Sequence, residues 1–173
     1  DALSELDAAI DLLDELVEKG LARQADSANY DVHDLIREFL VLSMESNLRK
    51  ELHGNAVNWY RNRKTSATDR IELIHHLHNS DQIDELTKVL SVEGHSLVQA
   101  GHTELLGILR SLDREGFDSK SWVIVRELRG DILSIQGRWN DAEKEYDSAI
   151  PIARKNKQNK ELARLLSSRA DIA

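Results

Sequence analysis

The 173-residue sequence contains no cysteine, one proline, eight glycines and only 5% aromatic residues. The absence of cysteine excludes disulfide bonds, thiolate metal sites and cysteine nucleophiles. The scarcity of proline and glycine disfavours a strand-rich fold, because such a fold needs a turn about every 8–12 residues. Hydrophobic residues at 40% and charged residues at 31% favour a folded, mainly helical chain over a disordered one.

Long apolar runs are also missing from the sequence. No segment approaches the roughly 18–20 apolar residues of a membrane span, and no signal peptide opens the chain. The first residue is Asp1, a helical pattern is already under way at Leu3, and another is still running at Ala173. We therefore expect a fragment of a longer cytoplasmic protein that has no contact with a membrane.

Basic charge is scarce at one end of the chain. The formal net charge is −8, and residues 1–45 alone hold 12 acidic and 3 basic residues, a local net charge of −9. The remaining residues hold 19 acidic and 20 basic residues and are close to neutral. Because DNA binding depends on neutralising phosphates, the acidic segment disfavours a DNA contact there.

The first 46 residues predict the order helix, β-hairpin, helix. Apolar residues at three- and four-residue steps predict a helix that ends at Gly20, and short strands at 21–24 and 30–33 flank a turn-rich stretch. Asp34 is expected to cap the helix that follows. This order is typical of the second half of a winged helix, so we assign residues 1–46 to a winged-helix remnant.

Residues 47–173 have no strand pattern and predict a helical arm. Gly94 is expected to interrupt the apolar stripe that begins near Ile83, and Pro151 predicts a kink or an early helix end. A longer helix is predicted from about Ser119 to Gln136. The fold class expected for the chain is mainly α: a partial winged helix followed by an α-α superhelix of helical hairpins.

Residues 120–173 carry the clearest internal repeat. Gly130, Ala142 and Ala149 provide small residues where two antiparallel helices approach, and Tyr146 fills the gap beside them. The register returns 40 residues later, where Arg169-Ala170-Asp171-Ile172 follows Arg129-Gly130-Asp131-Ile132. This spacing resembles the tetratricopeptide repeat (TPR), and the period resembles the longer-helix variants of large regulators.

The TPR resemblance implies a concave face that binds a protein or peptide. When the repeat register is projected, five residues are expected to look inward: Glu127, Asp131, Ser134, Arg164 and Asp171. Their acidic members predict a partner with exposed Lys or Arg. A face covered by further repeats or by another domain remains the alternative.

The segment from Tyr30 to Leu40 (YDVHDLIREFL) resembles the end of the winged helix in STAND-class signalling NTPases. These include apoptotic and plant-resistance ATPases and large TPR-bearing transcription regulators. The resemblance implies that His33 contacts the β-phosphate of an ADP held with an upstream nucleotide-binding domain, and that ADP or ATP with Mg²⁺ binds the full-length protein. A local hydrogen bond from His33 is the simpler alternative.

The leading functional hypothesis is therefore the regulatory sensor arm of a STAND-type signal-transduction ATPase, which couples nucleotide state to partner or inducer binding. The alternatives are a TPR scaffold with no nucleotide link and a DNA-binding winged-helix regulator. The chain has no G-x-x-x-x-G-K-[ST] sequence and no G-x-S-x-G sequence, so it predicts no enzyme activity and no catalytic residue of its own.

Seven histidines raise the question of a metal site. The densest group is His75-His76-Leu77-His78, in which His75 and His78 share a helix face and Glu72 lies one turn before. No cysteine and no H-E-x-x-H sequence accompany them. Solvated or helix-packing histidines are therefore favoured, and the sequence predicts no metal.

Overall fold

The computed structural model describes residues 2–25, 30–62 and 66–172. Over these residues the chain is mainly helical, with nine α-helices and one two-stranded antiparallel hairpin, as the composition predicts. None of the helices in the described residues has the length and apolar character needed to cross a membrane. The chain divides into two compact units, residues 1–49 and residues 50–173.

The first unit contains α1 (Ala2–Glu18), β1 (Ala22–Gln24), β2 (Tyr30–Val32), α2 (Asp34–Ser43) and the start of α3 (Ser46–Arg61). Gly20 adopts φ +68° after α1, which lets the Leu21 N–H return to the Leu16 carbonyl at 2.9 Å. The strands pair antiparallel with Ala22 opposite Val32. The pairing of the two predicted strands is thus confirmed, and the turn-rich stretch predicted between them falls largely on residues 26–29, which lie outside the described residues.

The cap of α2 differs from the prediction. Its N-cap is His33, whose Nδ1 accepts the Leu35 N–H at 3.3 Å, and Asp34 is already the first helical residue. Imidazole is not among the preferred capping groups, so the carboxylate next to it was the expected choice. No residue of α2 is buried, and its large apolar side chains are exposed: Leu35, Phe39, Leu40, Val41 and Leu42.

The second unit is all-helical in its described residues and holds the main core. After the rest of α3 it contains α4 (Ala67–Asn79), α5 (Ile83–Gln99), α6 (Leu105–Ser111), a 3₁₀ turn (Arg114–Gly116), α7 (Ser119–Ile135), α8 (Trp139–Lys155) and α9 (Asn159–Asp171). The predicted helix from Ser119 is confirmed, and it packs against α5, α6, α8 and α9. It contributes nine buried residues to the unit, more than any other helix in the described chain.

The sequence predicted that Gly94 interrupts a helix, and this prediction is wrong. Gly94 lies inside α5, which runs on to Gln99. The glycine is buried against α7, and a Cβ at this position would stand 2.6 Å from Leu128 Cδ1. The missing side chain therefore allows two helices to approach, at a modest cost in helix propensity.

Gly130 of α7 lies directly against the Tyr146 ring of α8. Gly137, at φ +72°, lies in the turn between the two helices. After the end of α8, the side-chain amide of Gln158 donates to the carbonyl of Lys120, near the start of α7, at 3.2 Å. A Cβ at Gly130 would meet the Tyr146 ring at 2.4 Å. Pro151 does not end the helix early, because α8 continues to Lys155.

We predict that Gly130→Ala destabilises the protein by about 1–3 kcal/mol, because the new methyl group meets a fully buried ring. Gly107→Ala in α6 is the matched control, since its Cβ would have no neighbour within 4 Å. That variant should gain about 0.5–1 kcal/mol from helix propensity. Urea denaturation measures both, and equal effects at the two positions would show that the Gly130–Tyr146 contact is unimportant.

Candidate functional site

A carboxylate, that of Glu127, is buried at the centre of α7. Its side chain is 1% exposed. Arg164 of α9 donates from Nε to Oε1 at 2.6 Å and from Nη2 to Oε2 at 3.0 Å. His95 of α5 approaches the same oxygen, with Nε2 3.3 Å from Oε1. A buried charge requires such partners, so this group connects three helices that are distant in sequence.

The protonation state of Glu127 follows from two opposing effects. Burial by itself would raise the pKa of the carboxyl group, because it disfavours the charged form. The close approach of His95 and Arg164 outweighs burial and holds the pKa of Glu127 below its usual value. The carboxylate is therefore charged at neutral pH and matched by the guanidinium of Arg164.

A second acidic side chain, Asp131, lies one turn further along α7. The Tyr146 hydroxyl of α8 donates to Asp131 Oδ1 at 2.9 Å. Burial raises the pKa of Asp131, and the hydrogen bond from Tyr146 opposes that rise. Burial and the neighbouring Asp131 likewise raise the pKa of Tyr146, which keeps its proton and remains the donor.

Asp131 lies in the wall of a groove of about 280 Å³ formed by α5, α7, α8 and α9. Polar and apolar side chains share the lining. The residues are His95, Val98, Gln99, Asp131, Ser134, Ile135, Tyr146, Ser168 and Asp171. We call this feature the inner groove.

Three of the five residues projected inward from the repeat register meet in the inner groove, namely Asp131, Ser134 and Asp171. Glu127 and Arg164 lie together but pair with each other. Because Glu127 is buried, it holds helices in place instead of presenting a surface to a partner. Three of the five projected residues thus line one groove between α7 and α9, while Glu127 and Arg164 hold the helices together.

Sequence reasoning missed the contribution of α5, which supplies His95, Val98 and Gln99. The clearest part of the repeat begins near residue 120, and the inward-facing residues were projected only for the helices after that point. The available signal was Gly94, whose small size allows α5 to lie against α7 next to His95.

His33 belongs to a separate site in the first unit. A cavity of about 300 Å³ is lined by Gly20, Leu21, Ala22, Arg23, Asp31, Val32, His33 and Asp34. Because Nδ1 of His33 accepts the Leu35 N–H, its neutral ring carries the proton on Nε2. Two cations of this unit contact the same carboxylate: Arg23 Nη2 lies 2.8 Å and Arg37 Nη2 3.3 Å from Asp31.

Comparison with protein-family models, with curated proteins and with solved structures finds no match to this chain. The resemblances to TPR repeats and to STAND NTPases thus depend on the residues quoted for them. Any proposed function has to start from the chemistry of the inner groove and of the His33 site.

We predict that the two halves of the buried ion pair are unequal. Arg164→Met leaves a charged carboxylate in the core and should cost about 3–5 kcal/mol. Glu127→Gln should cost less, because the Arg164 side chain is 34% exposed and can be hydrated. Arg138→Ala, which breaks the more exposed pair with Asp141, is the control and should change stability by less than about 1 kcal/mol.

The loss of stability in Arg164→Met is expected to depend on pH. Without Arg164, the pKa of Glu127 in the folded state rises above its unfolded value, so the folded protein binds the extra proton and gains stability as the pH falls. Denaturation curves at several pH values should show the deficit of Arg164→Met shrinking towards acid. A deficit that is constant with pH would contradict a buried, charged Glu127.

Proposed function

We propose that this chain is a protein-interaction arm and that its inner groove binds a basic segment of a partner protein. The observation that carries the proposal is the presence of Asp131 and Asp171 in one groove, where both can face the same ligand. A carboxylate has about four acceptor sites, and the Tyr146 hydroxyl uses one of those of Asp131. A lysine ammonium or an arginine guanidinium matches this pair in charge and hydrogen bonding.

The apolar part of the groove suits the same ligand. Val98 and Ile135 lie in the lining, and Ile135 is exposed. Long basic side chains place their methylene stems on such surfaces while the charged end reaches polar groups. A volume of about 280 Å³ matches one anchoring side chain with its flanking backbone.

The framework around the groove supports binding with little rearrangement. Tyr146 fixes Asp131, and the Glu127–Arg164 pair fixes α9 against α7. A site whose side chains are already ordered loses less entropy when a ligand binds. We infer that the hairpins of α7 to α9 are TPR-like repeats, since Gly130, Tyr146 and their neighbours fill the roles that the resemblance implies.

We further propose that the arm belongs to a STAND-type signalling ATPase, with the first unit as its winged-helix remnant. The motif Val32-His33-Asp34 supports this, because the Nε2–H of His33 is a suitable donor to a phosphate oxygen. The exposed apolar side chains of α2 suit contact with another domain, which would hold ADP or ATP with Mg²⁺. Partner binding to the arm would then shift a closed-to-open equilibrium.

The DNA-binding alternative finds less support than the protein-interaction role. The described part of α1 presents Asp11, Asp14, Glu15 and Glu18, and Lys19 pairs with Glu15. Phosphates would meet a negative helix at the position that usually enters the major groove. A TPR scaffold with no nucleotide link agrees with the groove equally well and differs only in the role of His33.

We predict that Asp131→Asn with Asp171→Asn weakens binding of a fluorescein-labelled peptide of alternating Lys, Arg and Leu by at least about tenfold. Each charge-assisted hydrogen bond contributes about 1.5–3 kcal/mol, and anisotropy titration measures the loss. Asparagine at 131 still accepts from Tyr146, so the fold is kept. The double variant Glu51→Gln with Glu115→Gln removes the same charge from exposed sites elsewhere.

The peptide should bind this control within about twofold of the wild type after correction for net charge. Equal losses in the two double variants would mean that the peptide senses only the overall charge, and unchanged affinity in both would mean that the groove is not used. Either result contradicts the proposed binding mode.

We predict that His33→Ala in the full-length protein speeds the release of bound ADP. The reason is the loss of one hydrogen bond to phosphate, worth about 1.5–3 kcal/mol. Release of a fluorescent ADP analogue measures the rate, with His102→Ala as the control. Unchanged release, or a full-length protein without a P-loop domain, would contradict the STAND assignment and leave the groove proposal standing.

A further inference from the structure

Three histidines of the second unit converge between α3 and α4. His53 lies on α3, whereas His75 and His76 are consecutive on α4. One ligand atom from each lies within 4.8 Å of the others. This group differs from the one that the sequence singled out, because His78 points away and its Nε2 lies 3.0 Å from the Ser111 hydroxyl.

The three rings are spaced as ligands of one metal ion would be. Their ring centres are 5.0, 5.3 and 5.6 Å apart. Around a tetrahedral Zn²⁺ with Zn–N bonds of about 2.0–2.1 Å, imidazole centres lie about 3.2 Å from the ion and about 5.2 Å from one another. The observed separations thus bracket the value that a three-histidine zinc site requires.

We propose that His53, His75 and His76 form a binding site for a divalent transition-metal ion, Zn²⁺ in the first instance. Imidazole nitrogen is a preferred ligand for such ions, and three protein ligands leave a fourth position for water. The exposed His75 provides the side from which the ion and that water arrive.

Nδ1 of His53 and Nδ1 of His76 are 2.8 Å apart, so one of these nitrogens donates to the other in the metal-free protein. Zinc would take the place of this shared hydrogen. The ring that had donated changes tautomer and carries its hydrogen on Nε2, so both rings stay neutral and no net proton is released. The two nitrogens must separate by about 0.5 Å to reach the roughly 3.3 Å of a tetrahedral site, a small side-chain movement.

The surroundings of His76 hold the ring in an orientation suited to this role. Its Nε2 faces the Glu72 carboxylate at 4.0 Å, and the Tyr60 ring stacks on it with centres 5.5 Å apart. Histidine ligands commonly present their second nitrogen to a carboxylate, which orients the ring and raises its basicity.

Isothermal titration of the whole chain with zinc chloride tests the proposal. We expect one Zn²⁺ per chain and a loss of affinity of at least about 100-fold in His53→Gln and in His76→Gln, since even outer partners of a zinc ligand cost 10–100-fold. His102→Ala, which removes a histidine paired with Glu104 elsewhere, should bind as the wild type does. Absence of binding, or equal affinity in His53→Gln and the wild type, would overturn the proposal.

A second measurement does not depend on how the variants fold. Long-range ¹H–¹⁵N spectra of the wild type identify which imidazole nitrogen carries the metal. Addition of Zn²⁺ should shift the Nδ1 signals of both His53 and His76. The two signals should change together and stop changing at one Zn²⁺ per chain. Signals of these two rings that stay unchanged while other histidines respond would overturn the proposed site.

Discussion

The buried charge of Glu127 is the constraint on which the second unit depends. A carboxylate that is 1% exposed in the middle of α7 requires partners within hydrogen-bond distance. Arg164 and His95 meet this requirement from α9 and α5. These contacts hold α5 and α9 against α7. Asp131, one turn further along α7, lies in the groove that these helices line. The stability of the framework and the geometry of the candidate site therefore have the same origin.

Small residues and a second buried charge allow α7 to be surrounded on several sides. Gly94 and Gly130 remove side chains where α5 and α8 approach, so Leu128 and Tyr146 can fill those spaces. The buried Arg129 donates from Nε to the Leu109 carbonyl and from Nη2 to the Leu112 carbonyl, both at 3.0 Å. These carbonyls lie at the end of α6, where helical partners run out. Every buried charge of α7 is thus used to attach another element.

Local patterns in the sequence predicted the helices and the hairpin well, because spacing along the chain determines which residues share a face. The helix predicted from Ser119 to Gln136 is found as Ser119–Ile135, and the strands at 21–24 and 30–33 are found within one residue of those bounds. The predictions that proved wrong concern residues whose role depends on distant partners or on unusual chemistry. Gly94 looked like a break because its neighbour Leu128 is far along the chain, and His33 caps a helix with an imidazole.

The sites were predictable to the same limited extent. The repeat register predicted that Asp131, Ser134 and Asp171 face the same side, since they belong to helices within the repeat, and all three line the inner groove. The projection covered only α7 and α9, so it included neither His95 of α5 nor His53 of α3. The convergence of His53 with His75 and His76 is a property of tertiary packing alone.

Mapping of the bound basic peptide by NMR tests the central claim most directly. Amide and side-chain shift changes in the ¹⁵N-labelled chain should concentrate at Gln99, Asp131, Ser134 and Asp171 and should saturate together with one affinity. The chemical shifts of the acidic helix α1 should change no more than they do when salt alone is added. Changes that centre on α1, or that spread over exposed acidic residues without a common affinity, would contradict the assignment of the inner groove as the binding site.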